Sequence, residues 1–316
     1  MRRMLLFVCL SLIAWASGGR EALAERRVAL VIGNSAYAHV PSLRQPKGDA
    51  EAMGALLTRA GFDHVAVHLD SGNSDMRRAI RSFSDTALDA DVVVIFYAGH
   101  GIEVQGANYL IPVDAKLTDS RDVEDEAVSL DRLVRAVDVR GNQKRLGVVI
   151  LDACRDNAFV KTMKIVPSGG LGKLGAVQHA TTNNVLLAYA AKAGTVGEDG
   201  DADHSLYTQA LLRNLTVPGL DIRLAFGRVR DEVLRKTNGK QEPFVYGAVS
   251  SEINPLAPMT SSSTPSQNSN DDEKGDYQLV AKIGTVKAWE LFLKTYPNGK
   301  LAEDARRQIE LLKSKR

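Results

Sequence analysis

Two short stretches of the chain carry side chains able to do chemistry on a carbonyl group. Tyr97-Ala98-Gly99-His100-Gly101 sets a histidine between glycines, which let backbone and substrate approach closely. Asp152-Ala153-Cys154-Arg155 carries a cysteine, and the only other cysteine is Cys9, in a stretch with the marks of a removable leader. A thiolate can attack a carbonyl carbon, an imidazole can give a proton to the departing amine, and backbone N–H groups can hold the oxyanion. Gly101 and Cys154 are the candidate N–H donors. Taken singly each signal is weak. A lone histidine is more often structural, and His39, His64, His68, His179 and His204 are read that way. A single thiol in an oxidising compartment is either a buried inert residue or a nucleophile. Taken together, a thiol and an imidazole support acyl transfer, and a His–Cys dyad needs no third member.

The elements that must position this pair are legible as apolar runs. Val28 to Ile32, Val65 to Leu69, Val92 to Tyr97, Val148 to Leu151 and Val185 to Tyr189 read as buried parallel strands, and Phe244 to Val249 as a closing sixth. Helical patterns lie between them: Asp49 to Ala60, Ser74 to Leu88 and Ser129 to Val139, the last two opening on capping serines, then Ser205 to Leu215 and Asp221 to Lys236. Strand–helix alternation predicts an α/β sandwich. In open parallel sheets ligands sit beyond the carboxyl ends of the strands, where the third and fourth runs deliver His100 and Cys154. Neighbouring strands lie about 4.8 Å apart, so side chains one or two strands apart can reach one carbonyl.

The 316 residues, 44% apolar and 25% charged, suit one large domain and a small one. Arg2 and Arg3 before the apolar run Met4 to Ala16, then Ala22-Leu23-Ala24, predict a signal peptide over 1–24, cleaved after Ala24. The run is too short for a membrane span. An exported, periplasmic or secreted protein is expected, with no membrane span after cleavage. Removal takes away three arginines and one glutamate, so the formal charge of +2 falls to zero and no nucleic-acid footprint remains. The large domain is expected over 25–252. Ser, Pro, Asn, Asp and Thr then dominate a stretch read as a disordered linker over 253–276. Residues 277–316 read as a helical hairpin, with Trp289, Leu291, Phe292 and Tyr296 before the Pro297-Asn298-Gly299 turn and Leu301, Ala305, Ile309 and Leu312 after it. Its size is that of one helical repeat, which predicts a protein partner or docking surface, the other reading being a merely solubilising tail.

A strand ending in Tyr-x-Gly-His-Gly and a later strand ending in Asp-x-Cys resemble the caspase–metacaspase–paracaspase superfamily, over most of residues 26–250. Val28 to Asn34, Asp49-Ala50, Tyr109 to Asp114, Leu187 to Ala190 and Ser205 to Thr208 support the likeness. It implies a three-layer α/β/α sandwich around a mostly parallel six-stranded sheet, here followed by the helical hairpin. It implies a cysteine endopeptidase working through a thioacyl-enzyme on a protein or peptide substrate, with His100 as general acid/base, Cys154 as nucleophile and no required cofactor. In metacaspases the positions of Asp152 and Asp49 line an acidic primary pocket, which implies cleavage after Arg or Lys. Ala98 stands where metacaspases often have serine, and Gly48 where asparagine is usual; both bear on the pocket, not the chemistry. The acidic stretch Asp119, Asp122, Glu124, Asp125 and Glu126 could bind calcium as metacaspase loops do, or be a solvated loop, so calcium activation stays open and no metal site is assigned. Lys161, Lys164 and Lys173, around the Gly-rich Ser168 to Gly175, mark either a self-cleavage region or a plain loop. Two other readings are a non-catalytic caspase-like binding domain and a small-molecule hydrolase on a flavodoxin-like sheet. The latter lacks a phosphate-cradling Gly loop or a nucleophile elbow.

Overall fold

The computed structural model describes residues 25–138, 145–154, 184–191, 203–250 and 299–314, together with Met163, Leu171–Gly172, Glu252, 254–257, Lys274, Tyr277, 280–281 and 286–296. Strands β1 (Arg27–Gly33), β3 (Val92–Val104), β6 (Leu146–Cys154) and β8 (Val185–Tyr189) form the centre of the main sheet. They are covered on both faces, which is why they read as nearly unbroken Val, Ile and Leu. The half-exposed β2 (His64–Leu69) and β9 (Phe244–Ala248) are the edges, in the order β2-β1-β3-β6-β8-β9. All pairs along this path are parallel except β8 with β9.

Period-two alternation sends successive side chains to opposite layers. Val148 and Ile150 enter a core shared with α1 (Pro46–Arg59), α5 (Leu206–Asn214) and α6 (Ile222–Lys236). Val149 and Leu151 enter one shared with α2 (Asn73–Thr86) and α4 (Leu130–Val137). The chain is therefore a three-layer α/β/α sandwich around a mostly parallel six-stranded sheet, as expected.

Several boundaries differ from the sequence reading. The third strand does not stop at Tyr97. It runs on through Gly99 and His100, and from Gly101 onward it pairs antiparallel with β4 (Ala107–Leu110). Gln105 and Gly106, at φ 53° and 81°, make the two-residue turn between them. β4 pairs with β5 (Val128–Ser129), and β7 (Leu171–Gly172) pairs with Glu103 and Val104. Ile102 and Val104 supply the apolar alternation of this extension and are buried with Ile111 and Leu117 in a third core. Helix α1 begins at Pro46, three residues before Asp49, because proline at the first helical position gives up no needed N–H. Ser74 does not cap α2, which starts at Asn73, whose N–H donates to Asp114 Oδ1 at 2.8 Å. Ser129, Ser205 and Asp221 do cap, accepting from Asp131, Thr208 and Arg223. The acidic stretch contains a one-turn helix, α3 (Asp122–Glu126).

The chain divides into two compact units, Met1–Pro258 and Met259–Arg316. Residues 254–257, read from composition as the start of a linker, pack on the first unit. The Leu256 side chain is fully buried there, and its carbonyl accepts from Arg27 Nη1 at 2.7 Å. One leucine between a proline and an alanine is too little apolar content to reveal such docking. In the second unit α7 (Val286–Thr295) and α8 (Ala302–Ser314) close on Trp289, Phe292, Ala305 and Ile309, with the Tyr277 hydroxyl bonded to Asp304. Among the described residues, no helix is long and apolar enough to cross a membrane.

Candidate active site

The register of β3 on β6 begins at Val92 opposite Leu146 and closes with His100 opposite Cys154. The histidine and the cysteine thus stand at the last paired position of the two central strands, about 4.8 Å apart in backbone. The Cys154 side chain lies outside the described residues. Gly101, next along β3, faces Leu110 of β4. His100 is where β3 leaves the parallel sheet.

The backbone there is pinned from three directions. The His100 N–H donates to Tyr37 Oη at 2.8 Å, while its carbonyl accepts from Tyr97 Oη at 2.7 Å and from the Ile111 N–H at 3.0 Å. Gly99 must be glycine: its φ is +152°, and a Cβ would lie 2.7 Å from the hydroxyls of both Tyr37 and Tyr97. The Tyr37 ring packs on the imidazole with centroids 4.6 Å apart. Only 2% of His100 is exposed, and burial lowers its pKa to about 4. At neutral pH the ring is uncharged and able to accept a proton.

Asp49 and Asp152 come together from distant parts of the chain. Asp49, in the first turn of α1, and Asp152, on the β6 face that carries Val148 and Ile150, both meet the N-terminus of α5. Asp152 Oδ2 accepts from Ser205 Oγ and, at 2.8 Å, from Thr208 Oγ1. Asp49 Oδ1 accepts from the Ser205 N–H at 3.3 Å and lies 3.0 Å from His204 Nδ1. The positive end of the α5 dipole favours negative charge at this place. Burial and the Asp152 carboxylate push the Tyr207 phenol well above its ordinary pKa. Ala98 sits opposite Asp152 in the strand register, so the missing serine would have been a neighbour of that carboxylate. At Gly48 a Cβ would make only ordinary contacts, 3.5 Å from the Asp203 carbonyl oxygen and 3.7 Å from His204, so the glycine is not sterically required.

Sequence reasoning missed His204, Ser205 and Thr208 as members of the site. Ser205 and Thr208 are legible only in the stretch Ser205 to Thr208 that opens a helical pattern and supports the family likeness, and His204 is read as structural. No local spacing reveals a contact between residues 49 and 204. The acidic stretch is largely satisfied within itself: Asp122 Oδ2 accepts from the N–H groups of Thr118 and Asp119, and the Arg121 guanidinium holds the Asp119 carboxyl down at about 2. Among the described residues no three His, Cys, Asp or Glu side chains are grouped to hold a metal ion. Lys161, Lys164 and Lys173 lie outside the described residues, as does all of Ser168 to Gly175 except Leu171 and Gly172.

Known proteins share this architecture. Caspase-1 from Spodoptera frugiperda superposes with a TM-score of 0.54 at 15% identity, covering 75% of this chain and 92% of that one, a likeness of fold. The human mucosa-associated lymphoid tissue lymphoma translocation protein 1 is 30% identical over 176 residues. The same figures hold for its Mus musculus homolog. The match covers 55% of this chain but only 19% of the length of these relatives. A family model described as the caspase domain matches residues 26–252, a span that includes the six-stranded sheet and both helix layers. The chain belongs to the caspase-domain family, a family of cysteine peptidases.

Proposed function

We propose that this chain is a cysteine endopeptidase that cleaves after Arg or Lys. One observation carries the reading: His100 and Cys154 close the register of the two central strands, while Asp152, two residues before the cysteine, shares a capping turn with Asp49. Cys154 gives its proton to His100, and its sulfur adds to the substrate carbonyl carbon. The oxyanion formed there takes the N–H groups of Gly101 and Cys154. Collapse breaks the C–N bond as His100 returns the proton to the leaving amine, and a thioacyl-enzyme remains. Water then gives a proton to His100 and its oxygen to the acyl carbon, and the thiol leaves with the proton.

The primary pocket is assigned to Asp49 and Asp152, whose carboxylates suit a guanidinium or ammonium group. The substrate is a protein or peptide, and the second unit, of the size of one helical repeat, serves to dock a protein partner. Residues 1–24 direct export, leaving Glu25 as the mature N-terminus in the periplasm or outside the cell. Protein sequencing of the exported form checks that end, and an intact Met1 on cytoplasmic protein refutes it. For the chemistry, peptides ending in Arg, Lys or Asp before a reporter amide are offered to the wild type, Cys154→Ala and His100→Ala, with and without calcium. The wild type cleaves the Arg and Lys peptides and both variants are inactive. Wild-type-like turnover in either variant overturns the assignment.

A further inference from the structure

The first turn of α5 makes more hydrogen bonds than a helix cap needs. Capping requires only that Ser205 Oγ accept the Thr208 N–H, which it does at 2.8 Å. With that lone pair committed, the Ser205 hydroxyl turns its own hydrogen to Asp152 Oδ2, and the fully buried Thr208 hydroxyl donates to the same oxygen. Two fixed donors on one oxygen set both the position and the plane of the carboxylate. From the other side of the turn the Ser205 N–H reaches Asp49. Two carboxylates brought to one place repel, and such donors, with the helix dipole, offset that repulsion.

We propose that Ser205 and Thr208 are positioning residues of the primary specificity pocket, holding Asp152 at the tilt that a substrate guanidinium must match. This rests on the reading of Asp49 and Asp152 as that pocket. A guanidinium is a planar fork that demands carboxylate orientation, whereas an ammonium group is a compact point charge. Loss of a positioning hydroxyl therefore penalises Arg more than Lys, and penalises a neutral isostere of Arg least.

The test compares kcat and KM for peptides ending in Arg, Lys or citrulline with the wild type, Thr208→Val, Ser205→Ala and Thr208→Ser. Thr208→Val keeps the shape and the cap. It is expected to lower kcat/KM for Arg about tenfold, the loss of roughly one charge-assisted hydrogen bond, mainly through KM. The Lys peptide loses about threefold, so the Arg-to-Lys ratio drops by about the same factor. Ser205→Ala shifts that ratio in the same direction, and Thr208→Ser, which restores the hydroxyl, returns it toward the wild-type value. An unchanged Arg-to-Lys ratio in both Thr208→Val and Ser205→Ala, or an equal loss on all three peptides, overturns the inference. A wild type that does not favour Arg or Lys over citrulline instead overturns the pocket reading beneath it.

Discussion

Acid should destabilise the first unit through His100, the most deeply buried imidazole among the described residues. His100 has a pKa of about 4 in the fold, against 6.5 when unfolded. Below pH 6.5 the unfolded chain binds a proton that the folded chain refuses, so stability falls with pH until the folded state also protonates near pH 4. The stability tied to the neutral ring is complete above pH 6.5 and lost across that window. With about 1.4 kcal/mol for each pH unit, the full loss is about 3 kcal/mol, most of it reached by pH 4.5. Urea unfolding at pH 7.5 and 4.5, with and without His100→Gln, isolates the contribution, because glutamine takes no proton and the other titrating groups are common to both. The comparison belongs in a Cys154→Ala background, where no thiolate can favour the imidazolium. Far-UV circular dichroism is the readout. The tryptophans are Trp15, within the proposed signal peptide, and Trp289, in the second unit, so in protein that starts at Glu25 tryptophan fluorescence does not report on this domain. The histidine protein should lose about 2 to 3 kcal/mol more than the glutamine variant between the two pH values. Equal losses would mean that a charge or a solvent path compensates burial at His100, and the neutral base drawn for the mechanism would be wrong.

Three further outcomes are expected. Asp152→Asn should shrink the preference for Arg-ended over Asp-ended peptides by tenfold or more, at roughly 1.5–3 kcal/mol per charge-assisted hydrogen bond, and equal cleavage of both peptides by the wild type contradicts an acidic pocket. Gly99→Ala must push a Cβ against two tyrosine hydroxyls at a φ of +152°, so it should destabilise the domain by more than about 1 kcal/mol in urea unfolding and suppress turnover; a stable, active alanine variant refutes the constraint. In the second unit the Tyr277–Asp304 hydrogen bond pushes the phenol up to about 12, so its ultraviolet titration should lag free tyrosine. That bond's contribution is present below the ordinary tyrosine pKa and lost as pH rises through 12, and Tyr277→Phe should remove about 1 kcal/mol, followed by Trp289 fluorescence.

The sheet, and the place of His100 and Cys154 at strand ends, were legible because a strand buried on both faces must be apolar at nearly every position, and four such runs are hard to mistake; the run Val65 to Leu69, also read as buried, is the half-exposed edge β2. The antiparallel extension was not, since β5 and β7 have only two residues each and no period can be read from two residues. Ser205 shows a deeper limit. Its sequence signal is local: a serine before an amphipathic run predicts a cap, and it is one. A hydroxyl, however, accepts and donates at once. The accepting half is spent three residues away, on the Thr208 N–H, whereas the donating half is spent on Asp152 of another strand. Patterns along the chain report only the first half. The second exists only because β6 and the start of α5 are brought together by packing, and it is on this half that the proposed positioning of Asp152 depends.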